Sequence, residues 1–308
     1  MTKLSVIVPT KDRRQVLEKS LDALSNSLIG LDAEVIVVND GEESLDALTA
    51  KYPGFAFRKN PGRGVASARN FGVSLSTGSL LLFLDDDILV NERSIRQVIS
   101  LHQQHRNACF NVNWEYTKEL DLKLQETVFG RFLKRNRMTS FRGWYNDEST
   151  WRENALFESK SVASFHLSIE RNLFLESGGY NEGFPFAGFE DYDFPVRLRA
   201  IGISFFIDTR VTVYHNELDR MNLTNWLNSQ ERRAVTRRFA VDQGYTELTL
   251  SFNWFKQICF FVLWKTERLT LSMLRMMDKI RFLDKIGYKM IALTQATRIF
   301  RGYSNRMT

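Results

Sequence analysis

The stretch LLFLDDDILV, Leu81–Val90, ends an apolar run in three adjacent carboxylates. Like charges side by side repel, so Asp85, Asp86 and Asp87 require compensation. Alternate residues of an extended segment point the same way, so Asp85 and Asp87 converge while Asp86 points elsewhere. Hard divalent cations take carboxylate oxygens and keep open positions for phosphate. A solvated turn is the plainer use of such a run. A second acidic group, Glu190, Asp191 and Asp193, opens GFEDYDFPVRLRAIG (Gly188–Gly202). A carboxylate there can act as a general base or merely complement the dipole of a helix start. His215, in VTVYHNE, is a lone histidine, a type more often structural than ligating. It gains meaning only if the fold carries it to Asp87. GRGVASARNFG (Gly62–Gly72) sets Arg63 and Arg69 among small residues. That composition suits phosphate at a helix N-terminus, or simply a closely packed helix, and it is neither a Walker A loop nor a full dinucleotide fingerprint.

These residues need a scaffold, and the first hundred positions predict one. LSVIV, AEVIVV, FAFRKN and SLLLFLD alternate with amphipathic stretches. Strands that are apolar throughout and alternate with helices imply a parallel sheet covered on both faces. Ligands of open α/β sheets bind beyond the carboxyl ends of the strands. Pro9, Thr10 and Asp12 follow the first strand, Asn39, Asp40 and Gly41 the second, and Asp85–Asp87 the fourth. Further on, ACFNVNWEY reads as a strand and residues 117–160 as mostly helical. ISFFID and VTVYH read as two short strands, and the chain from Asn222 onward as helices.

With 308 residues and 44% hydrophobic content, the chain supports a substantial core plus an extension. Cys109 and Cys259 lack metal spacing and read as two buried thiols of a reducing cytoplasm rather than a disulfide. The N-terminus reads as a first strand rather than a signal peptide. No run of about 18 apolar residues predicts a spanning helix. Charge is uneven: Lys and Arg outnumber Asp and Glu by 15 to 6 from Met221 onward, and trail them by 27 to 30 before it. Within that basic part, residues 250–290 combine Trp254, Phe255, Phe260, Phe261 and Trp264 with Lys256, Lys265, Arg268, Arg275, Lys279, Arg281 and Lys285. Two uses fit. The segment lies in a bilayer interface, aromatics inserted and cations toward anionic lipid. Alternatively, its aromatics pack on the catalytic domain or a second subunit of a homo-oligomer, and its cations face water.

The motifs stand in one order: VIVPTKDR, VIVVNDG, NPGRGVASARNFG, LLFLDDD, GGYNEGF, GFEDYDFPVRLRAIG, then a late histidine. Together they closely resemble the family 2 glycosyltransferases of GT-A fold, over roughly residues 3–217 and not over the last ninety or so. The resemblance implies an α/β, Rossmann-like, mixed and mostly parallel sheet flanked by helices, with a catalytic domain over 1–220 and a helical extension over 221–308. It implies transfer of a sugar, expected to be UDP-linked, from a nucleotide diphosphate donor to a hydroxyl with inversion. The acceptor would be a glycan or a lipid-linked molecule in polysaccharide or glycolipid assembly. The implied location is cytoplasmic, at most peripheral on the cytoplasmic membrane face. By the same resemblance, Asp87 would ligate Mn²⁺ or Mg²⁺ directly and His215 would complete the metal shell. Asp85 would contact ribose or metal-bound water, with Asp86 beside it at the donor. The cation would then be the group that neutralises the triple-aspartate run. Asp40 would read the base, with Pro9, Thr10, Asp12 and Arg69 lining the same pocket. Asp191 would be the catalytic base and Glu190 its neighbour.

Some residues depart from the family pattern. Asn39 stands where many relatives carry an acid, and GEES replaces the commoner Gly-Ser-Thr-Asp, so the base stays open. In QERRA (Gln230–Ala234), Ala234 takes the place of the Trp of processive synthases, which points to single addition; Arg232 and Arg233 are candidates to approach the diphosphate. A sugar nucleotidyltransferase shares the architecture, but PTKDRR lacks its early glycine loop. ERRAVTRRF has the charge for nucleic acid, yet charge alone is usually a solvated helix face.

Overall fold

A computed structural model describes residues 3–145 and 149–305. In chain order its strands and helices are β1 (Leu4–Thr10), α1 (Arg14–Ser27), β2 (Ala33–Asn39), α2 (Asp46–Lys51), β3 (Ala56–Lys59), α3 (Gly64–Leu75), β4 (Leu80–Leu84), β5 (Ile88–Leu89), α4 (Glu92–Gln104), β6 (Ala108–Tyr116), α5 (Lys118–Lys123), α6 (Val128–Arg135), α7 (Phe141–Trp144), β7 (Leu156–Ser159), β8 (His166–Glu170), α8 (Arg171–Glu176), α9 (Glu190–Ala200), β9 (Ser204–His215), α10 (Leu223–Asp242), α11 (Trp254–Lys265), α12 (Glu267–Met277) and α13 (Asp284–Ser304). Two compact units divide the chain. The first runs to Glu115 and takes in Ser140–Gly183 and Glu190–Asn216; the second takes in Tyr116–Thr139, Phe184–Phe189 and the chain from Glu217 onward.

In the first unit the four early apolar runs become parallel neighbours in the order β3-β2-β1-β4, with Leu4 opposite both Ala33 and Leu80. Every residue of β1 is buried, as a strand covered on both faces requires. Beyond β4 the direction alternates: β8 runs antiparallel to β4 and β6, and β9 antiparallel to β5 and β7. The result is a mixed nine-stranded sheet flanked by helices. The small residues of α3 let it approach the sheet. A Cβ added at Gly72 would collide with Ile7 Cγ2, so this glycine sets the helix–sheet distance. Asn91 caps α4 by accepting from the Ser94 amide at 2.9 Å.

Two sequence expectations change here. ISFFID and VTVYH form one continuous strand, β9, rather than two. The intervening Asp208 is fully buried, but Arg210 and Gln97 each bond its carboxylate at 2.7 Å, so no break is needed. Burial would raise the Asp208 pKa, yet the Arg210 hydrogen bonds prevail and hold it below the usual range. Within the stretch expected to be mostly helical, Leu156–Ser159 pairs with β9 as a strand. Both cysteines are free thiols; Cys109 is buried as expected, whereas Cys259 is only half-buried.

The second unit is helical. Close approach again rests on glycine: a Cβ at Gly302 of α13 would meet the Glu231 carbonyl of α10, and one at Gly287 would meet Val128 of α6. Charged pairs seal the same contacts. Arg131 holds Asp284 at 2.7 and 2.8 Å, and Arg298 holds Glu231 at 2.7 Å as well as Glu267. Among the described residues, no helix is long and apolar enough to cross a membrane.

Two histidines make the first unit acid-sensitive. His102 bonds Ser168 at 3.0 Å and His166 sits fully buried in β8. Burial holds both near a pKa of about 4, below the roughly 6.5 of an unfolded chain. The unfolded state then binds protons that the fold excludes, so stability is full above about pH 6.5 and falls as pH drops toward 4. Each histidine contributes a loss on the order of 3 kcal/mol at the acid end. We expect the urea midpoint to decline across that window and His166→Leu to flatten the decline; a wild-type midpoint constant from pH 6.5 to 4 would refute it.

Candidate active site

Parallel pairing brings the carboxyl ends of β1, β2 and β4 to one edge of the sheet. The Asp40 amide donates to the Thr10 carbonyl at 2.8 Å, and the Thr10 hydroxyl donates to Asp86 at 2.7 Å. Antiparallel pairing adds two more segments. β8 begins beside the end of β4, so the Asp85 amide meets the Phe165 carbonyl at 3.0 Å. β9 ends with His215 opposite Ile88, which delivers the histidine to the aspartates although 128 positions separate it from Asp87.

Each aspartate of the run has its own compensation. Asp85 accepts from Arg69 Nη2 at 2.8 Å. Asp86 is buried and turned to Thr10 and to Arg13, whose Nη1 lies 2.5 Å away. Asp87, also buried, receives the same Arg13 nitrogen at 2.8 Å and His215 Nε2 at 2.9 Å. The His215 ring packs edge-on against Trp114 at 5.0 Å, which in turn meets Trp144 at 5.2 Å. Arg13 and Arg69 therefore offset part of the charge of the run. The expected convergence of Asp85 with Asp87 is not met. The run turns, with the Ile88 amide bonding the Asp85 carbonyl at 3.2 Å, so strand alternation does not apply, and Asp86 and Asp87 face one arginine while Asp85 faces another.

Asp12 adopts a left-handed backbone, φ 51°, and its Oδ1 accepts the amides of Glu42 and Glu43 at 2.7 and 3.0 Å. The Glu43 amide is the main reason its carboxyl titrates below the usual range. A Cβ at Gly41 would collide with this carboxylate, so the loop after β2 needs glycine there. Asn39 shapes the same loop, accepting from the Gly41 amide and donating to the Glu43 carbonyl, both at 2.8 Å. Asp40 Oδ1 accepts from the Gly64 amide at the start of α3 and from Asn60, both at 2.8 Å, while Lys11 reaches Oδ2 at 3.1 Å. Pro9 is buried within β1, opposite Val38.

Arg69 joins this edge to α9. Its guanidinium is buried, 2.8 Å from Asp85, 3.6 Å from Glu190 and 3.7 Å from Asp191, and it stacks over the Tyr180 ring at 5.1 Å. Burial alone would weaken its hold on the proton, but Asp85, Tyr180, Asp191 and Glu190 together raise its pKa. Nε and Nη1 make no hydrogen bond among the described residues. Asp191 Oδ1 accepts from Ser164, whose hydroxyl also bonds Tyr180 Oη at 2.7 Å. Glu190 is 2% exposed, whereas a third of the Asp191 side chain meets solvent. The third acid of the first turn, Asp193, is buried and paired with Arg197 at 2.7 Å, the structural use of an acid at a helix start.

The sequence reading named Asp85, Asp87, His215, Arg69, Glu190 and Asp191, and the fold gathers all six in the first unit. It did not single out Arg13, Ser164 or Tyr180. The available signals were the position of Arg13 one turn past β1, and the tyrosine of GGYNEGF. Arg232 and Arg233 lie on α10 of the second unit, where the Arg233 stem lies against Gly188.

Removing Arg69 takes one cation away from Glu190, Asp85 and Asp191 together. Breaking a buried pair costs about 3–5 kcal/mol; two of the three acids keep a third of their surface in water, so the lower end applies. Arg69→Met should lower unfolding stability by about 3 kcal/mol in urea at pH 7, and a loss below about 1 kcal/mol would show that the arginine does not hold these acids.

Comparison with known proteins bears on the family and the fold. The model of Glycosyl transferase family 2 matches residues 5–173. An uncharacterized glycosyltransferase, YfnE, of Bacillus subtilis (strain 168) is 23% identical over 254 residues, covering 70% of this chain and 65% of its own. Validoxylamine A glucosyltransferase of Streptomyces hygroscopicus subsp. jinggangensis (strain 5008) is 28% identical over 225 residues, covering 65% and 52%. The chain thus spans between half and two thirds of the length of these relatives. Among solved structures, mannosyltransferase PcManGT from Pyrobaculum calidifontis, in complex with GDP-Man and Mn²⁺, superposes with a TM-score of 0.58 at 14% identity, covering 99% of this chain and 88% of that one, which shows a shared GT-A fold. With the family model matched over more than half its length, the chain belongs to glycosyltransferase family 2.

Proposed function

We propose that the chain transfers a sugar from a nucleoside diphosphate sugar, UDP-linked, to a hydroxyl of a glycan or lipid-linked acceptor, with inversion at the anomeric carbon. The observation that carries this reading is the shared guanidinium of Arg69, 2.8 Å from Asp85 and 3.7 Å from Asp191. It sets the phosphate-side carboxylates and a half-exposed base at one site.

Asp191 is the better base of the pair in α9. Ser164 fixes Oδ1, and Oδ2 has no hydrogen-bond partner among the described residues and is positioned to take a proton. As the acceptor oxygen forms its bond to the anomeric carbon, its proton passes to Asp191 and the bond from that carbon to the diphosphate oxygen breaks. Glu190 is too buried to meet an acceptor and holds Arg69 in place. On the donor side, Asp40 and Asp12 shape the loops that receive the base, through the Gly64, Glu42 and Glu43 amides.

The donor set fits a divalent cation. A buried carboxylate and an imidazole, Asp87 and His215, stand 2.9 Å apart, a spacing two ligands of one ion can share. Asp87 and His215 would hold the ion, with Asp85 reaching it through water. Glu217, two residues past His215 in the chain, offers a further carboxylate in the same stretch. Oxygen-rich sites of this kind suit Mn²⁺ and Mg²⁺; the Mn²⁺ bound by the Pyrobaculum mannosyltransferase supports the first. When bound, the ion supplies Lewis-acid stabilisation of the departing diphosphate. Arg13 keeps Asp86 and Asp87 oriented.

A screen of nucleotide sugars for donor hydrolysis, with and without divalent ion, tests the reading. We expect turnover to stop with chelator and to return with Mn²⁺ or Mg²⁺, and Asp87→Asn to weaken donor and metal binding together. Full turnover in chelator would exclude the metal. Asp191→Asn should cost about 10²–10⁴-fold in rate and leave donor affinity near wild type. A dead Glu190→Gln beside an active Asp191→Asn would exchange the two roles. Turnover of nucleoside triphosphate with sugar phosphate, and none of nucleotide sugars, would replace transfer by nucleotidyl chemistry.

A further inference from the structure

The second unit carries a large apolar surface that its own packing leaves uncovered. α12 turns Leu274 and Met277 inward and α13 Gly287 and Ile291, where they are buried, while α11 turns Cys259, Phe260 and Leu263 inward, half-buried, with Phe260 5.4 Å from Phe300 of α13. Their outer faces are apolar as well. Trp254 is 73% exposed, Met276 75% and Phe282 84%. The exposed residues recur at helical spacing: Trp254, Ile258 and Phe261 on α11, Leu269, Met273 and Met276 on α12, and Phe282, Ile286 and Leu293 leading into and along α13. Water-facing helices do not carry such stripes on both sides, and scattered exposed apolar residues do not align this way.

Charge is sorted across the same helices. Residues 254–290 contain eight cations, Lys256, Lys265, Arg268, Arg275, Lys279, Arg281, Lys285 and Lys289, and all eight side chains are exposed. The stretch contains three acids, and each is committed inside the unit. Glu267 is buried against Arg298, Asp284 is held by Arg131, and Asp278 accepts the Val128 amide at 2.9 Å. None of the eight cations forms an ion pair with a carboxylate within 4 Å among the described residues. Lys265 instead lies over the Trp264 ring at 5.0 Å.

We infer that this face docks on the surface of an anionic lipid bilayer, its aromatic and aliphatic side chains in the headgroup–acyl boundary and its cations among the headgroups. An apolar stripe flanked by Lys and Arg, with no acid facing out, is the composition of an interfacial helix. A second copy of the chain is the poorer occupant. A two-fold interface is self-complementary, so it would set eight cations against eight with no outward acid to compensate. A bilayer supplies both the hydrocarbon and the negative charge. Binding is measured without donor or acceptor, so its outcome is separable from that of the transfer reaction proposed above.

The test is flotation of the full chain with vesicles of phosphatidylcholine alone and of phosphatidylcholine mixed with phosphatidylglycerol. The wild type should float with the anionic vesicles at low salt, much less with the neutral ones, and be released as salt rises. Each cation near an anionic surface strengthens binding by about fivefold. The combined variant Lys256→Gln, Arg275→Gln, Lys279→Gln, Lys285→Gln should therefore lose at least about a hundredfold in affinity. Trp254→Ser, Phe261→Ser, Phe282→Ser should lose binding while keeping the unfolding midpoint, since all three side chains are exposed. No flotation of the wild type at low salt, or flotation unchanged in both variants, overturns the inference. So does concentration-dependent self-association without vesicles that the aromatic variant abolishes, which would give the face to a second copy.

Discussion

The compensation of three adjacent aspartates is the constraint on which the first unit depends. A carboxylate taken out of water costs several kcal/mol unless a partner meets it, and Asp86 and Asp87 are both buried. Arg13 meets the two of them with a single nitrogen, and Arg69 meets Asp85. One arginine leads into α1, directly after β1, and the other sits in α3. Both can reach the run only if β1, β2 and β4 are parallel and their ends coincide. The polar edge of the sheet and its parallel register are therefore one requirement: a slipped strand would carry its end away from its neighbours' and strand the charges.

The same guanidinium separates two acids that the family resemblance ranked, Asp191 as base and Glu190 as its neighbour, without a physical reason in the sequence itself. Glu190 and Asp191 are neighbours in the first turn of α9 and both lie within 4 Å of Arg69. Their environments differ. Glu190 is enclosed and faces the cation; Asp191 is anchored by one oxygen and keeps the other toward solvent. A proton acceptor must touch an incoming hydroxyl, and a buried acid paired to arginine cannot. The Ser164–Tyr180 pair supports this division, because it orients Asp191 through a hydroxyl and brings no further charge to the site.

The parallel half of the sheet was legible because its strands are unbroken apolar runs with a period that nothing else imitates. So were the aspartates at the strand ends, since topology alone brings them together. What the chain concealed are contacts with no local period. Ser164 lies just before a strand inside a region read for its glycines and aromatics, and its partner Asp191 comes 27 positions later. Arg13 sits in a stretch of charges that reads as solvated. β9 was divided in two because Asp208 interrupts its apolar pattern; Gln97, from a distant helix, and Arg210 satisfy that charge where sequence cannot show it. The second unit hid in the same way. That α6 belongs with α13 depends on a glycine, Gly287, and on an Arg131–Asp284 pair 153 positions apart.

Those pairs also explain how a modest excess of positive charge becomes a one-sided surface. In the second unit, buried contacts draw in acids and arginines together: Glu231 and Glu267 with Arg298, Glu231 with Arg301, Asp284 with Arg131. Lysine is poorly suited to such contacts, whereas the planar fork of arginine bonds a carboxylate through two nitrogens at once. Satisfying the interior with acids therefore leaves most remaining cations, lysines among them, on the outside with few acids to accompany them. The outward field of α11–α13 is thus a consequence of how the helices are fastened to one another, and weakening the internal pairs would loosen the packing and blur the segregation of charge at the same time.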